Sequence, residues 1–297
     1  MGWENNLVSV IIPLYNRLDY IDETIQSVLT QNYNSIELII VDDGSTDGSY
    51  EHVKTYADDN KLILLTHENR ANKGQAAAIN VGLKAAKGEY IAILDSDDMF
   101  SQGKIKHQVE HLEANPEVGL VYGMGHGVDA KGQYIYDIHN EKHQEPNDPN
   151  KVLLDCYFLL PQNSLVRRSV YNEAGNFNES YRSAQDHDML IRIAEVTKMA
   201  FIPKLCFYYR RHGDSISVKG LETRWRAGLK ILEAAKARYP YKSQTIRKRR
   251  AVLNFHLAKA LFKSNTHLLE ACCRLILAGL LDPIRSFKVI TGLEKNY

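Results

Sequence analysis

The sequence predicts an α/β fold in which a mostly parallel central sheet is flanked by helices and followed by a C-terminal helical appendage. Three observations lead there. Between residues 7 and 123, short apolar runs rich in β-branched residues alternate with stretches of helical period. That alternation makes βαβ units, with the sheet covered on both faces. Several of the runs end in Asp, Asn, Gly or Ser, and ligands of open α/β sheets bind beyond the carboxyl ends of the strands. From residue 221 onward the pattern is helical throughout and strongly basic.

Each element follows from its local pattern. "LVSVIIPLY" (7–15) is a nearly continuous apolar run, hence a buried strand. "DYIDETIQSVLTQ" (19–31) places Ile21, Ile25, Val28 and Leu29 on one helical stripe. "IELIIVDD" (36–43) is a second buried strand, "TDGSYEHVKTYADD" (46–59) a helix, and "KLILLTH" (61–67) a third strand. "NKGQAAAINVGLKAAKG" (72–88) is an alanine-rich helix, with Gly88 as its closing C′ glycine. "EYIAILD" (89–95) is a fourth strand. "SQGKIKHQVEHLEANP" (101–116) is a helix with Ser101 as N-cap and Asn115-Pro116 as its stop, and "VGLVYG" (118–123) is a fifth strand. A hairpin is expected around "DAKG" (129–132), then an irregular loop to about 150. "DHDMLIRIAEVTK" (186–198) reads as a helix and "MAFIPKLCFYYRRH" as a strand. Two domains follow: a catalytic region over 1–220 and a basic helical region over 221–297.

Composition narrows the class. The 297 residues are 44% hydrophobic and 25% charged, ordinary for a globular protein with a sizeable core. "MGWENNLVSVIIPLYN" has neither the basic start nor the long apolar run of a signal peptide. No stretch supplies the roughly 18 consecutive apolar residues of a membrane span. Cys156, Cys206, Cys272 and Cys273 show neither a C-x-x-C pair nor metal-type spacing, as in reduced thiols of a cytoplasmic protein. The net charge of +1 hides an asymmetry, since residues 1–220 carry −10 and residues 221–297 carry +11. A basic tail points to an acidic partner: anionic lipid, a phosphorylated substrate, or the acidic domain itself.

The chemistry concentrates at strand ends. "IAILDSDDMF" (91–100) runs a buried strand straight into Asp95, Asp97 and Asp98. Two carboxylates two residues apart at such a place can hold a hard divalent cation, Mg²⁺ or Mn²⁺, which keeps waters and a substrate diphosphate as further ligands. A solvated Asp-rich turn is the plain alternative. "VDDGSTDGS" (41–49) is also acidic at a strand end. Thr46 or Asp47 suits a helix cap there, while a carboxylate of the Asp pair suits a nucleobase N–H. "YGMGHGV" (122–128) has alternating glycines but not the G-x-G-x-x-G spacing, and it is expected to form a permissive loop of an acceptor region.

"VSVIIPLYN", "IELIIVDDGSTDGS", "NKGQAAAINVGLKAAKGEYIAILDSDD" and "SAQDHDMLIRIA" stand in the order and rough spacing of glycosyltransferase family 2. The chain resembles, over roughly residues 7–215, an inverting, nucleotide-sugar-dependent transferase of the glycosyltransferase-A fold, with its mostly parallel Rossmann-like sheet. The resemblance implies that Pro13 and Tyr15 line the nucleotide pocket and that Asp43 meets the uracil edge. It implies that Asp95 lies near ribose and metal, and that Asp97 is the direct metal ligand. In related enzymes a histidine at the place of His212 completes the metal site. Lys73 or Arg70 meets phosphate or nucleobase, unless the loop is merely solvated; Arg210 and Arg211 face the same choice with the diphosphate. Asp98 is structural or a weaker member of the cluster. Where the family carries a Glu-Asp pair, this chain has Gln185-Asp186. Asp186 is then the general base that activates the acceptor hydroxyl, and the change to Gln bears on acceptor positioning. The plain reading is that Asp186 caps the helix near His187, with Asp188 at its positive end.

The expected function is transfer of a sugar from a UDP-sugar to a saccharide or lipid-linked acceptor in surface polysaccharide or glycolipid synthesis, with a divalent metal. No nucleic-acid partner is expected, and a homo-oligomer is left open. Two rivals stand beside it. A sugar-phosphate nucleotidyltransferase needs a glycine-rich, arginine-containing first loop, and "PLYNRLDY" has no glycine. A non-catalytic nucleotide-sugar-binding protein is favoured only by Gln185. At the C-terminus, "RKRRAVLNFHLAKALF" (247–262) is basic then amphipathic, and "HLLEACCRLILAGLLDPIRSF" (267–287) is apolar but interrupted by Arg274. Both suit peripheral contact with an anionic membrane at the inner face of the cell membrane, or packing on the protein itself.

Overall fold

The computed structural model describes residues 3–156, 161–213 and 220–290. It forms two compact units, Met1–Asn147 with Tyr157–His212, and Asp148–Cys156 with Gly213–Tyr297.

Among the described residues, the first unit is built on a nine-stranded sheet. Its elements begin with β1 (Glu4–Leu14), α1 (Ile21–Leu29), β2 (Ile36–Asp42), α2 (Ser49–Asp58), β3 (Ile63–Thr66), α3 (Gln75–Ala85) and β4 (Gly88–Ile93). There follow β5 (Met99–Phe100), α4 (Lys104–Ala114), β6 (Val118–Val128) and β7 (Tyr134–Ile138). After α5 (Pro149–Leu154), which belongs to the second unit, come β8 (Ser164–Arg167), α6 (Arg168–Ala174), α7 (Gln185–Val196) and β9 (Lys198–Arg210).

The strand order is β3-β2-β1-β4-β8-β6-β9-β5, with β7 on the far part of β6. β3, β2, β1 and β4 pair in parallel, the half of the sheet that βαβ alternation predicts. The other half is mixed. β8 runs antiparallel to both β4 and β6, so β6 and its parallel neighbour β9 run in the same direction as β4. The carboxyl ends of β1, β2, β4 and β9 therefore lie at one edge. β1 is central, and Val8, Val10, Ile11, Ile12 and Leu14 are fully buried. Each such side chain contributes about 1.5–3 kcal/mol by leaving water. Proline is tolerated at position 13 because the β1–β4 ladder ends at Ile11 opposite Ile93, so no partner asks for its missing N–H.

Three local expectations are corrected. Gly88 does not close α3, whose C-cap is Ala86; it opens β4. A Cβ there would meet Leu7 O at 2.5 Å and Ser9 Oγ at 2.7 Å, so close strand approach demands the glycine. Ser101 does not cap α4, which starts after Gly103; its hydroxyl instead donates to Leu205 O of β9. The "YGMGHGV" stretch is not a loop but the carboxyl half of β6. Gly123, Gly125 and Gly127 alternate there because Cys206, the Phe207 ring and the Tyr136 ring occupy the space a Cβ would need. The hairpin at 129–132 forms as read, with Asp129 Oδ1 accepting from the N–H groups of Lys131 and Gln133.

The second unit is helical: α5, α8 (Leu221–Arg238), α9 (Ser243–Ser264), α10 (Leu268–Leu281) and α11 (Pro283–Ile290). It takes in residues 148–156, which the sequence reading had left with the first domain. α5 packs on α9: Val152 and Leu153 are buried, and Asn150 Oδ1 accepts from Lys242 N–H and Thr245 Oγ, both at 3.0 Å. Arg249 adds a bond from Nη1 to Leu154 O. All four cysteines are free thiols, Cys156 and Cys206 buried, Cys272 and Cys273 exposed.

Candidate functional site

The edge where β1, β2, β4 and β9 end gathers the residues singled out in the sequence. After β1 come Tyr15, Asn16 and Arg17. The loop is zipped to the one after β2: Asn16 Oδ1 accepts from Thr46 N–H at 2.8 Å and Ser49 Oγ from Arg17 N–H at 2.9 Å. The Tyr15 ring stays 45% exposed, while Pro13 beneath it is buried.

The two acids after β2 divide their work. Asp42 is fully buried and accepts from the N–H groups of Gly44 and Ser45, shaping the turn. Asp43, the expected nucleobase contact, takes Lys73 N–H at 2.7 Å and Gly74 N–H at 2.9 Å. It thereby fixes the loop that leads into α3. His67 Nε2 lies 3.2 Å from Asp43 Oδ1 but without hydrogen-bond geometry. The Lys73 side chain is exposed beside this pocket. Arg70 is engaged elsewhere, its guanidinium 3.8 Å from the centre of the Tyr50 ring and bonded to Ser45 O.

The cluster after β4 is more tightly made. Thr24 of α1 donates to Asp98 O at 2.8 Å and holds the turn. Asp98 is 1% exposed and structural: it accepts from Arg210 N–H at 2.7 Å and Gln162 Nε2 at 2.6 Å, tying β9 to the turn. Arg210 is a brace rather than a diphosphate contact, since it donates to Asp97 O, Ala130 O and Glu23. Asp97 points the other way. Its Oδ2 receives Arg17 Nε at 2.9 Å and lies 3.0 Å from His212 Nε2. The His212 ring rests against Tyr20, with centroids 4.8 Å apart.

Asp95 connects this cluster to α7. Gln75 Nε2 donates to Asp95 Oδ1 at 2.8 Å, and Gln185 Nε2 donates to Gln75 Oε1 at 2.7 Å. This amide chain orients Gln185 and leaves its buried Oε1 without a protein donor. Asp186 follows on the first turn of α7. It does not cap the helix: the N-cap is Ala184, with no side-chain cap bond. Asp188 is buried and paired with Arg192 at 2.8 Å, a structural role.

The electrostatics mark the acidic edge. Burial, then the charges of Asp97 and Asp186, push the Asp95 carboxyl up to about 7, against the pull of Arg17 and Gln75. Burial, then the charges of Asp97 and Asp95, push Asp98 well above the usual carboxylate range, against the pull of Arg210. Among the described residues, no group of three or more His, Cys, Asp or Glu side chains is arranged to hold a metal alone. The convergence of Asp97 Oδ2 and His212 Nε2 nonetheless fits a Mn²⁺-like ion, which accepts oxygen and imidazole and completes its shell with water and substrate oxygens. Arg17, Gln75 and the Gln185 relay were missed in the sequence. The only signal for Arg17 was its position just past the β1 strand end.

Comparison with known proteins gives a family and a fold. A family model described as Glycosyl transferase family 2 matches residues 9–175. Glycosyltransferase GlyG of Streptococcus pneumoniae is 31% identical over 74% of this chain and 76% of its own. An uncharacterized glycosyltransferase of Rickettsia felis is 33% identical over 72% of this chain but only 35% of its own length, so this chain spans about a third of that relative. Chondroitin synthase of Pasteurella multocida is 29% identical over 73% of this chain and 22% of its own. Among solved structures, S. aureus TarS in complex with UDP-GlcNAc superposes with a TM-score of 0.71 at 21% identity, covering 92% of this chain and 79% of that one. The mannosyltransferase PcManGT of Pyrobaculum calidifontis, in complex with GDP-Man and Mn²⁺, gives 0.62 at 20% identity over 99% of this chain and 85% of that one. At these identities the structural likeness is one of fold.

Proposed function

The chain belongs to glycosyltransferase family 2, and from that premise we propose that it is an inverting, metal-dependent enzyme that transfers a sugar from a UDP-sugar to an acceptor hydroxyl in surface polysaccharide or glycolipid synthesis. Its fold is the glycosyltransferase-A type. The observation that carries the reading is the meeting of Asp97 and His212 at 3.0 Å, on the edge that also holds Asp95 and the first turn of α7.

In this reading the exposed Tyr15 ring and buried Pro13 form the wall of the nucleotide pocket. Asp43, already oriented by Lys73 and Gly74, offers its remaining lone pairs to the uracil N–H. The exposed Lys73 ammonium is within the same loop and meets phosphate. Asp97 and His212 would hold the divalent cation, and Asp95, on the same edge, would face the ribose. When bound there, such a cation would supply Lewis acidity to offset negative charge on the departing nucleoside diphosphate. Arg17, now on Asp97, adds a fixed positive charge at the same place. Asp186, with its side chain partly exposed and uncommitted to a helix cap, takes the proton of the acceptor hydroxyl as that oxygen attacks the anomeric carbon from the face opposite the leaving group. The names of two neighbours support a nucleotide-sugar donor: one is bound to UDP-GlcNAc, the other to GDP-Man with Mn²⁺.

The test is turnover. The protein is incubated with Mn²⁺ and UDP-sugars, or GDP-mannose for comparison, with and without saccharide acceptors. Nucleoside diphosphate release and the anomeric configuration of the product are followed by NMR. Release of UDP with inversion supports the reading. Release of pyrophosphate from a nucleoside triphosphate and a sugar phosphate contradicts it.

A further inference from the structure

The second unit turns its large apolar side chains outward. α10 packs on α9 mainly through small residues: Ala271 and Ala278 are buried, with Leu257 and Leu261 of α9 in the same core. The opposite face carries Leu269 (81% exposed), Ile276 (64%) and Leu280 (75%), spaced to form one helical stripe. α11 adds Ile284 and Phe287, 72% and 64% exposed. A helix that packs alanine inward and leucine outward inverts the usual globular pattern, and a contiguous exposed apolar patch marks an interaction surface.

The charges on this segment are sorted in the same way. Among residues 263–290 the acids are Glu270 and Asp282. Both are turned to the protein: Glu270 accepts Arg226 Nη1 and Nη2 at 2.9 and 2.7 Å and also Arg274, and Asp282 is 8% exposed. The cations Lys263, Arg285 and Lys288 are exposed. The outward surface is thus apolar and basic, with its acids withdrawn.

We propose that the α10–α11 face lies on an anionic lipid surface, with Leu269, Ile276, Leu280, Ile284 and Phe287 at the boundary of headgroups and acyl chains and the cations on lipid phosphates. Among the described residues no helix is long and apolar enough to cross a membrane, so the helices lie in the plane of the interface. Anionic lipid is favoured over a second copy by charge. A two-fold contact through this face would set cations against cations, whereas an anionic leaflet complements them. The inference does not depend on the donor or metal assignments.

The experiment is co-sedimentation of the full chain with vesicles of phosphatidylcholine alone or mixed with phosphatidylglycerol. The expected result is partition to the mixed vesicles, weakened by salt and at least about ten-fold weaker on phosphatidylcholine. L280S/I284S, at exposed positions, is expected to lose about ten-fold or more in partition with an unchanged thermal midpoint. K288Q is expected to lose on the order of five-fold. Absence of sedimentation with either vesicle overturns the proposal, as does equal binding by L280S/I284S. A concentration-dependent dimer broken by L280S/I284S, without vesicle binding, assigns the face to a second copy instead.

Discussion

Asp97 Oδ2 stands 3.0 Å from His212 Nε2, although the two residues are 115 positions apart. They meet because β9 runs in the same direction as β4 and ends at the same edge. Two strand ends, each carrying one ligand-type side chain, thus make one site. In the proposed function that edge is the donor site and the first turn of α7 the acceptor side.

Asp186→Asn is expected to leave UDP affinity unchanged and to lower transfer by about 10²–10⁴-fold, the usual share of a general base. Calorimetry with UDP and steady-state transfer rates give the two readouts. Transfer at the wild-type rate removes Asp186 from the base role.

Gln75→Leu cuts the amide chain from Asp95 to Gln185. Asp95 Oδ1 and Gln185 Nε2 both lose a buried partner, at a cost of about 1–3 kcal/mol each. The denaturant midpoint should fall accordingly. An unchanged midpoint shows that water or rearranged side chains replace the glutamine.

Gly125→Ala is expected to destabilise the first unit by about 1–3 kcal/mol, because the added methyl meets the Phe207 ring. The drop should be relieved in the double variant with Phe207→Leu, which makes room across the β6–β9 pair. Additive losses in the two single variants contradict that coupling.

Lys104 is fully buried, donates to Gln108 Oε1 and Ser164 O, and sits 4.1 Å above the Phe100 ring. Burial lowers its ammonium to about 7. The unfolded chain therefore binds this proton more readily than the fold between about pH 7 and the ordinary lysine value of 10.5. Over that window stability should rise with pH by this group's contribution. Lys104→Met should remove that rise, seen as a flatter dependence of the unfolding midpoint on pH relative to wild type. Parallel curves for the two proteins contradict it.

Much of this was legible in the sequence because it is local. Buried strands are continuous apolar runs, and Asp43, Asp95 and Asp97 sit just after two of them. β1, β2 and β4, with Asp43, Asp95 and Asp97, could be read residue by residue. What could not be read depends on long-range pairing. Arg17 reaches Asp97 across 80 positions, and Gln185 reaches Gln75 across 110. No periodicity encodes either contact. The alternating glycines of β6 misled for a different reason. Glycine is poor in strands by propensity, and its need here comes from Cys206, Phe207 and Tyr136 on neighbouring strands. The outward leucines of α10 were visible as apolar residues, but the face they occupy depends on how α10 packs on α9.

The most direct test of the donor site is calorimetric titration of UDP into wild type and Asp97→Asn, with and without Mn²⁺. Wild type is expected to bind UDP more tightly with Mn²⁺, and Asp97→Asn to lose this metal-dependent gain while keeping its thermal midpoint. Equal UDP affinity with and without Mn²⁺ in wild type, or an undiminished Mn²⁺ effect in Asp97→Asn, would contradict it.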